Sequence, residues 1–276
     1  MAIYLLILIA IALYVAASVV TAMHISGHGE NNSSDGLSGL IAASYGLACA
    51  ALLFHLIATS QMSFVGDSLN FSLASMVVLV SGIVVLFFLV GGLAMPIRRL
   101  GILVYPLTIL SLIFAVSWGG EPSTLERQGG AFTIHILISI SAYALLAIAS
   151  IQALLYLYQE NLINKRSSPT MLMALPPLQT MEVLLFRLVT IGFALLTLAL
   201  LSGAAFSQQI FGHAFAFNHH TILAVLGWLV FATLLIKRAR HGLRGSHAVS
   251  WTIGGFLLIQ LGYFGTKIVS ESLSVQ

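Results

Sequence analysis

Histidine is the residue type whose number and placement point most directly to chemistry in this chain. The sequence carries nine histidines, beside eleven lysines and arginines and eight acidic residues. An imidazole close to hydrocarbon needs partners for its nitrogens, and each ring nitrogen can ligate a metal. Two neutral imidazoles on opposite sides of a porphyrin hold its iron from both axial positions. The histidines therefore predict metal or haem ligation, if the fold brings some of them together.

Long apolar segments predict the elements that must position these histidines. The chain is 59% hydrophobic and 7% charged, with a mean hydropathy of +1.04, which is typical of an integral membrane protein. Each segment is long enough to cross a hydrocarbon core of ~30 Å as a helix. The sequence predicts one all-α transmembrane bundle over residues 1–276, with eight helices at approximately 2–23, 36–59, 70–94, 100–117, 132–157, 183–206, 219–236 and 248–270.

The basic residues predict the orientation of these helices, because lysines and arginines near helix ends are retained in the cytoplasm. Nine of the eleven lysines and arginines lie in or beside three of the connections between helices, which this rule assigns to the cytoplasm. Arg127 and Lys267 lie elsewhere. With eight crossings, both termini are then expected outside, in the periplasm or its equivalent. The nine basic residues on the cytoplasmic side are Arg98, Arg99, Lys165, Arg166, Arg187, Lys237, Arg238, Arg240 and Arg244.

This topology divides the histidines between two faces. The cytoplasmic loops contain His24, His28, His241 and His247, which are expected to be solvated. The outer face contains His55, His135, His213, His219 and His220.

Two of the outer histidines form the predicted ligand pair. His55 lies near the outer end of the second helix, and His135 lies in the first turn of the fifth. Because they come from different helices at similar depth, we expect them to face each other and to ligate haem iron. His219 or His220 is the alternative ligand.

Apolar walls for a haem are available in the outer loop after the sixth helix. Phe211, Phe215 and Phe217 lie there, and aromatic rings cover a porphyrin face at small entropic cost. Alternatively, these phenylalanines anchor the helices at the membrane interface. A lone histidine near a helix end likewise has an alternative role, in which it only hydrogen-bonds a neighbouring carbonyl.

Three short motifs resemble those of a known family. His135 is followed by Ser141, Ala142 and Tyr143; the penultimate helix is followed by Gly242, Leu243, Arg244 and Gly245; and the last helix carries Tyr263, Phe264 and Gly265. The chain resembles the bacterial inner-membrane YpjD family, within the CcsA-like cytochrome c assembly proteins, or haem handling protein superfamily. The resemblance covers the chain from Trp118 onward, and the first three helices by pattern and by His55.

The resemblance implies a multi-pass protein of the bacterial inner membrane that handles haem b for cytochrome c biogenesis. Beside the lipid bilayer, its expected partners are another membrane subunit or an apocytochrome c. The chain departs from the group in the tryptophan-rich outer loop, where no tryptophan precedes Trp228 and where Asn218 to Thr221 replace an Asp-Pro-Lys-Glu-Thr run. The histidine expected after the last helix is also missing.

The remaining residues predict no catalysis by this chain alone. Cys49 is the only cysteine, which excludes an internal disulfide and CxxC chemistry, and there is no phosphate-binding glycine loop. The net charge of +3 is a topology signal and predicts no nucleic-acid partner. Two other functions stay open: an accessory subunit of another membrane complex that binds no haem, and a small-molecule transporter, which the scarcity of ionisable residues within the helices disfavours.

Overall fold

The computed structural model describes residues 2–27, 34–65, 68–95, 97–118, 124–125, 129–165, 176–211, 219–265 and 268, and these are overwhelmingly helical. A 3₁₀ turn at Arg98–Leu100 precedes the fourth helix, and a π-helical turn at Leu261–Gly265 follows the eighth. The all-α prediction is confirmed. Within the described ranges the α-helices are α1 Ala2–Gly27, α2 Ser34–Ser63, α3 Leu73–Ala94, α4 Gly101–Trp118, α5 Gly129–Asn164, α6 Leu178–Phe211, α7 His219–His241 and α8 Gly245–Gln260.

Seven stretches of the described chain are long and apolar enough to cross a membrane, which confirms a multi-pass protein. The eighth predicted segment corresponds to α8 and the π-helical turn that continues it to Gly265, and it is not one of these seven stretches. The positions of the two termini stay a prediction. The seven candidate spans are Ala2–Ile25, Gly39–Ser63, Leu73–Ala94, Arg98–Trp118, Ile134–Asn164, Leu178–Ala205 and Thr221–His241.

Two helices extend well past the boundaries expected from hydropathy. α5 has 36 residues and α6 has 34. At ~1.5 Å per residue α5 is about 54 Å long, which exceeds a hydrocarbon core of ~30 Å. The apolar pattern ends where polar residues such as Gln159 and Glu160 begin, but these residues are good helix formers and the helix continues through them.

A small antiparallel sheet, which the sequence did not predict, lies beside the ends of α2 and α3. Its strands are β1 Phe64–Val65, β2 Ser68–Asn70 and β3 Thr124–Leu125, in the order β1-β2-β3. Phe64 pairs with Leu69, and Asn70 pairs with Thr124. Strands of two or three residues are too short to produce a period-two hydropathy signal, which is why the third helix was expected to begin too early.

The chain divides into two compact units. The first contains Met1–Glu126 with Leu155–Leu184, and the second contains Arg127–Leu154 with Leu185–Gln276. In the first unit α1 packs against α2 and α4, and α3 packs against the same two helices, so the four helices close a ring. The single domain expected over residues 1–276 stays a prediction.

Close helix contacts in the second unit depend on glycine. α7 packs against α8, and a Cβ atom on Gly227 would lie 2.6 Å from Cγ1 of Ile259 and 3.1 Å from the carbonyl oxygen of Gly255. A Cβ on Gly192 of α6 would lie 2.8 Å from Cδ2 of Leu146 on α5. Small residues let helix backbones approach closely, which is a principal source of packing energy in membranes. These glycines therefore fix the helix spacing in the unit that contains His135.

Candidate functional site

His135 is held by a hydrogen bond to the neighbouring helix. It lies in the second turn of α5, is half-buried, and places Nδ1 2.8 Å from Oγ of Ser202 on α6. Oγ of Ser202 also lies 2.8 Å from the carbonyl oxygen of Leu198 and 3.1 Å from that of Ala199. Carbonyl oxygens only accept, so these two carbonyls favour the orientation in which the single hydroxyl proton of Ser202 points to its own helix. Nδ1 of His135 is then the donor to Ser202.

This hydrogen bond determines which nitrogen of His135 has ligand character. A neutral imidazole carries one proton, and here it resides on Nδ1. Nε2 consequently has the lone pair that a metal requires. In metal sites a ligating histidine almost always donates its other ring N–H to a protein acceptor, which is the arrangement that Ser202 provides.

Gly203 lies against the same imidazole. An added Cβ at this position would be 3.1 Å from Cε1 of His135, 3.7 Å from Nε2 and 3.9 Å from Nδ1. The first distance is tighter than most real Cβ contacts, so a side chain at residue 203 would press on Cε1, the carbon between the two ring nitrogens. Two consecutive residues of α6 therefore act on one imidazole: Ser202 binds it, and Gly203 leaves room for it.

His55 has a different environment in the interior of the first unit. It is 0% exposed, with Nε2 3.0 Å from the carbonyl oxygen of Val78 on α3 and Nδ1 3.3 Å from the hydroxyl of Tyr14 on α1. Because a carbonyl only accepts, Nε2 carries the proton, and Nδ1 accepts from Tyr14. Both ring nitrogens are thus engaged, and the side chain connects three helices. Iron ligation by His55 stays a prediction, and it requires the loss of one of these bonds.

The aromatic residues around His55 were not predicted from the sequence. The ring of Tyr14 lies edge-on to that of His55 at 6.0 Å and stacks on that of Tyr105 at 6.1 Å. Tyr105 in turn meets Phe88 edge-on at 5.6 Å. All three are among the largest fully buried side chains. The available signal was the place of Tyr14 near the middle of its apolar segment, where an interfacial tyrosine is not expected.

The other predicted haem ligands and the predicted aromatic wall residues lie at the ends of the described ranges or outside them. His219 and His220 are the first residues of α7 and Phe211 is the last residue of α6, but their side chains lie outside the described part. His213, Phe215 and Phe217 lie outside the described residues altogether. In the described ranges, no group of three or more His, Cys, Asp or Glu side chains is placed to hold a metal ion.

One of the histidines that the sequence assigned to cytoplasmic loops is not in a loop. His24 was expected in a solvated loop, but it lies in α1 and is 7% exposed. The helix continues past it because no breaker occurs before Gly27, so the side chain remains against the bundle. His241 and His247 are exposed, as expected, and His28 lies outside the described residues.

The motifs from α5 and from the last helix meet inside the second unit. The ring of Tyr143 lies 5.3 Å from that of Phe256 and 5.7 Å from that of Phe264. Trp228, the tryptophan nearest the outer loop, is an α7 residue whose Nε1 donates to Oγ1 of Thr197 at 2.9 Å. It also stacks on Phe193 at 5.5 Å. Tyr143 and Phe264, one residue from each of two family motifs, are therefore in contact within this unit.

Comparison with known proteins agrees with the resemblance seen in the sequence. The chain is 28% identical to the inner membrane protein YpjD of Escherichia coli K12 over 268 residues, which cover 94% of this chain and 97% of that protein. It is 27% identical over 182 residues to the cytochrome c biogenesis protein CcsA of Chlamydomonas reinhardtii, covering 64% of this chain and 50% of that protein. The chain is 30% identical over 95 residues to the cytochrome c biogenesis protein CcsA of Acorus calamus, covering 34% of this chain and 30% of that protein.

The YpjD relative and the seven apolar helices confirm the expected location, a multi-pass protein of the bacterial inner membrane. The family profile described as "Cytochrome C assembly protein" matches residues 37–274, which is most of the chain. The chain belongs to the cytochrome C assembly protein family.

Proposed function

We propose that this protein holds haem for cytochrome c biogenesis, and that Nε2 of His135 is an axial ligand. The observation that supports this most strongly is the 2.8 Å bond from Nδ1 of His135 to Ser202, which leaves the lone pair on Nε2. When bound, haem supplies an iron centre whose axial positions accept imidazole nitrogens. The cofactor of the proposal is haem b.

Three histidines are candidates for the second axial ligand, and they differ in their surroundings. His219 and His220 belong to the same compact unit as His135, at the first residues of α7. His55 would have to exchange either the Tyr14 hydroxyl or the Val78 carbonyl for iron. Apolar walls are proposed from Phe211, Phe215 and Phe217, because aromatic rings pack well against a porphyrin.

The proposed task is positioning and not bond formation. Cys49 is the only cysteine of the chain and is exposed on α2, so the thiols that attack a haem vinyl group would come from an apocytochrome c. Partners of the proposal are that apocytochrome and another membrane subunit. The proposed orientation has both termini on the outer side of the membrane, which brings the start of α5 to the same side as apocytochrome c.

A function without haem is the second candidate, and one observation favours it. Both nitrogens of His55 are committed to helix packing, which shows that this chain does use an intramembrane histidine as a structural bridge. If His135 has the same use through Ser202, the protein would be an accessory subunit of another membrane complex.

The two candidates differ in one measurable property, the haem content of the purified protein. We expect protein from cells supplied with a haem precursor to show a reduced spectrum typical of haem b, and His135→Ala to lose it. His247→Ala is the matched control, because His247 is exposed on α8. His55→Ala, His219→Ala and His220→Ala identify the second ligand. A colourless wild-type protein, or an unchanged spectrum in His135→Ala, would overturn the proposal.

A further inference from the structure

We infer that Ser202 and Gly203 are positioning residues for His135: Ser202 fixes the tautomer and rotation of the imidazole, and Gly203 leaves room for its Cε1 atom. This inference rests on the proposed function for its effect on haem, but its structural part holds without haem. Ser202 and Gly203 are consecutive in the sequence. Both lie on α6, and Ser202 is 67 residues from His135 in sequence.

The geometry at Ser202 leaves little freedom to the ring. The hydroxyl is oriented by carbonyls of its own helix, 2.8 and 3.1 Å away, so its lone pairs face outward from α6. Nδ1 of His135 meets them at 2.8 Å. Rotation of the ring by half a turn would bring a carbon to this acceptor and lose the bond. With the hydroxyl proton of Ser202 directed to its own helix, the N–H of His135 is on Nδ1 and Nε2 is on the far edge of the ring.

Gly203 determines how closely α6 can approach Cε1 of the same ring. Its hydrogen occupies the place where a methyl group would come within 3.1 Å of Cε1, the carbon between the two nitrogens. A methyl group would tilt the ring or move α6 away, and either change would weaken the Ser202 bond. Gly203→Ala and Ser202→Ala are therefore expected to affect the same imidazole by different routes.

Removal of the acceptor should weaken haem binding without removing the ligand. Loss of a hydrogen-bond partner behind a ligating histidine typically lowers metal affinity about 10- to 100-fold. We expect Ser202→Ala to show this loss and a shifted haem reduction potential, because the imidazole becomes a weaker donor. Ser202→Thr keeps a hydroxyl and should restore both. Gly203→Ala should also weaken binding.

Ser139 provides a matched control on the other helix. Its hydroxyl is 2.8 Å from the backbone carbonyl oxygen of His135, so it bonds to the same residue but not to the ring. Ser139→Ala removes the same chemical group from the same neighbourhood. It should leave haem affinity and reduction potential unchanged, whereas a general loss of packing would affect both serine variants.

The test combines haem titration with nuclear magnetic resonance of the haem-free protein labelled with ¹⁵N-histidine. The His135 signals, assigned by their loss in His135→Ala, should show the proton on Nδ1 in the wild type and a changed tautomer population in Ser202→Ala. A proton on Nε2 in the wild type would overturn the inference whether or not haem binds. Wild-type affinity and potential in Ser202→Ala would also overturn it. If His135→Ala retains haem, the proposal that His135 ligates the iron is wrong. The resonance result still tests whether Ser202 fixes the tautomer of His135.

Discussion

Replacing Tyr14 by phenylalanine removes one hydroxyl from the interior of the first unit, and it should destabilise the protein by an amount that depends on His55. Tyr14 is 0% exposed, and its hydroxyl lies 3.3 Å from Nδ1 of His55, which is equally buried. Hydrogen bonds between membrane helices contribute about 0.6 kcal/mol on average and up to about 1.7 kcal/mol. Tyr14→Phe also leaves Nδ1 as a buried acceptor without its donor, so the cost should lie in the upper part of that range.

His55→Ala should cost more than Tyr14→Phe. The truncation removes the bond to Tyr14 and the 3.0 Å bond to the Val78 carbonyl, and it leaves a cavity between three helices. Large-to-alanine changes in packed interiors cost about 2 to 5 kcal/mol. Once His55 is gone the Tyr14 hydroxyl has lost this partner. The double variant should therefore be less destabilised than the sum of the single variants, by about 0.6 to 1.7 kcal/mol.

Reversible unfolding of the haem-free protein in mixed detergent micelles measures these free energies. Tyr4→Phe is the control, because Tyr4 is on the same helix and is 57% exposed. It should change the free energy of unfolding by less than about 0.5 kcal/mol. Strict additivity of Tyr14→Phe and His55→Ala would refute the reasoning, because it would mean that the two side chains do not interact.

Three further predictions concern helix packing and orientation. Gly227→Ala should destabilise the protein by about 1 to 3 kcal/mol through overpacking against Ile259, while Gly254→Ala, whose Cβ would meet nothing within 4 Å, should be neutral in the same unfolding assay. Thr197→Val should cost about 0.6 kcal/mol, and at most about 1.7 kcal/mol, since it removes the acceptor of the Trp228 indole; an unchanged midpoint would show that this bond contributes nothing. Alkaline phosphatase fused to the C-terminus should be active in a bacterial host, because the fusion point is expected outside the cytoplasm; an inactive fusion that is present at normal levels would contradict the orientation.

The sequence predicted most of the helices because a long uncharged apolar run is typical of a membrane span. It placed helix ends less well. The fifth helix continues beyond residue 157 to Asn164, since Gln159 and Glu160 interrupt the hydropathy pattern but not the backbone. The small sheet near Asn70 could not be predicted, because its short strands are set by contacts between distant loops.

The candidate site was predictable only in part, because its local features are visible in the sequence and its contacts between helices are not. The position of His135 at the start of a helix is a local property and was read directly from the sequence. Its partner Ser202 is distant in the chain, and nothing in its own neighbourhood distinguishes it from other intramembrane serines. For His55, one partner is the backbone carbonyl of Val78, which no side-chain pattern can reveal. Depth can be inferred from topology, but hydrogen-bond partners depend on how helices rotate and pack.

Haem stoichiometry in purified wild-type protein and in His135→Ala tests the central claim most directly. Haem extracted and quantified per protein chain, alongside the exposed-histidine control His247→Ala, gives the comparison. The account predicts haem b close to one per chain in the wild type and the control, and a large loss in His135→Ala at unchanged protein yield. Equal haem content in all three proteins, or none in the wild type, would contradict it.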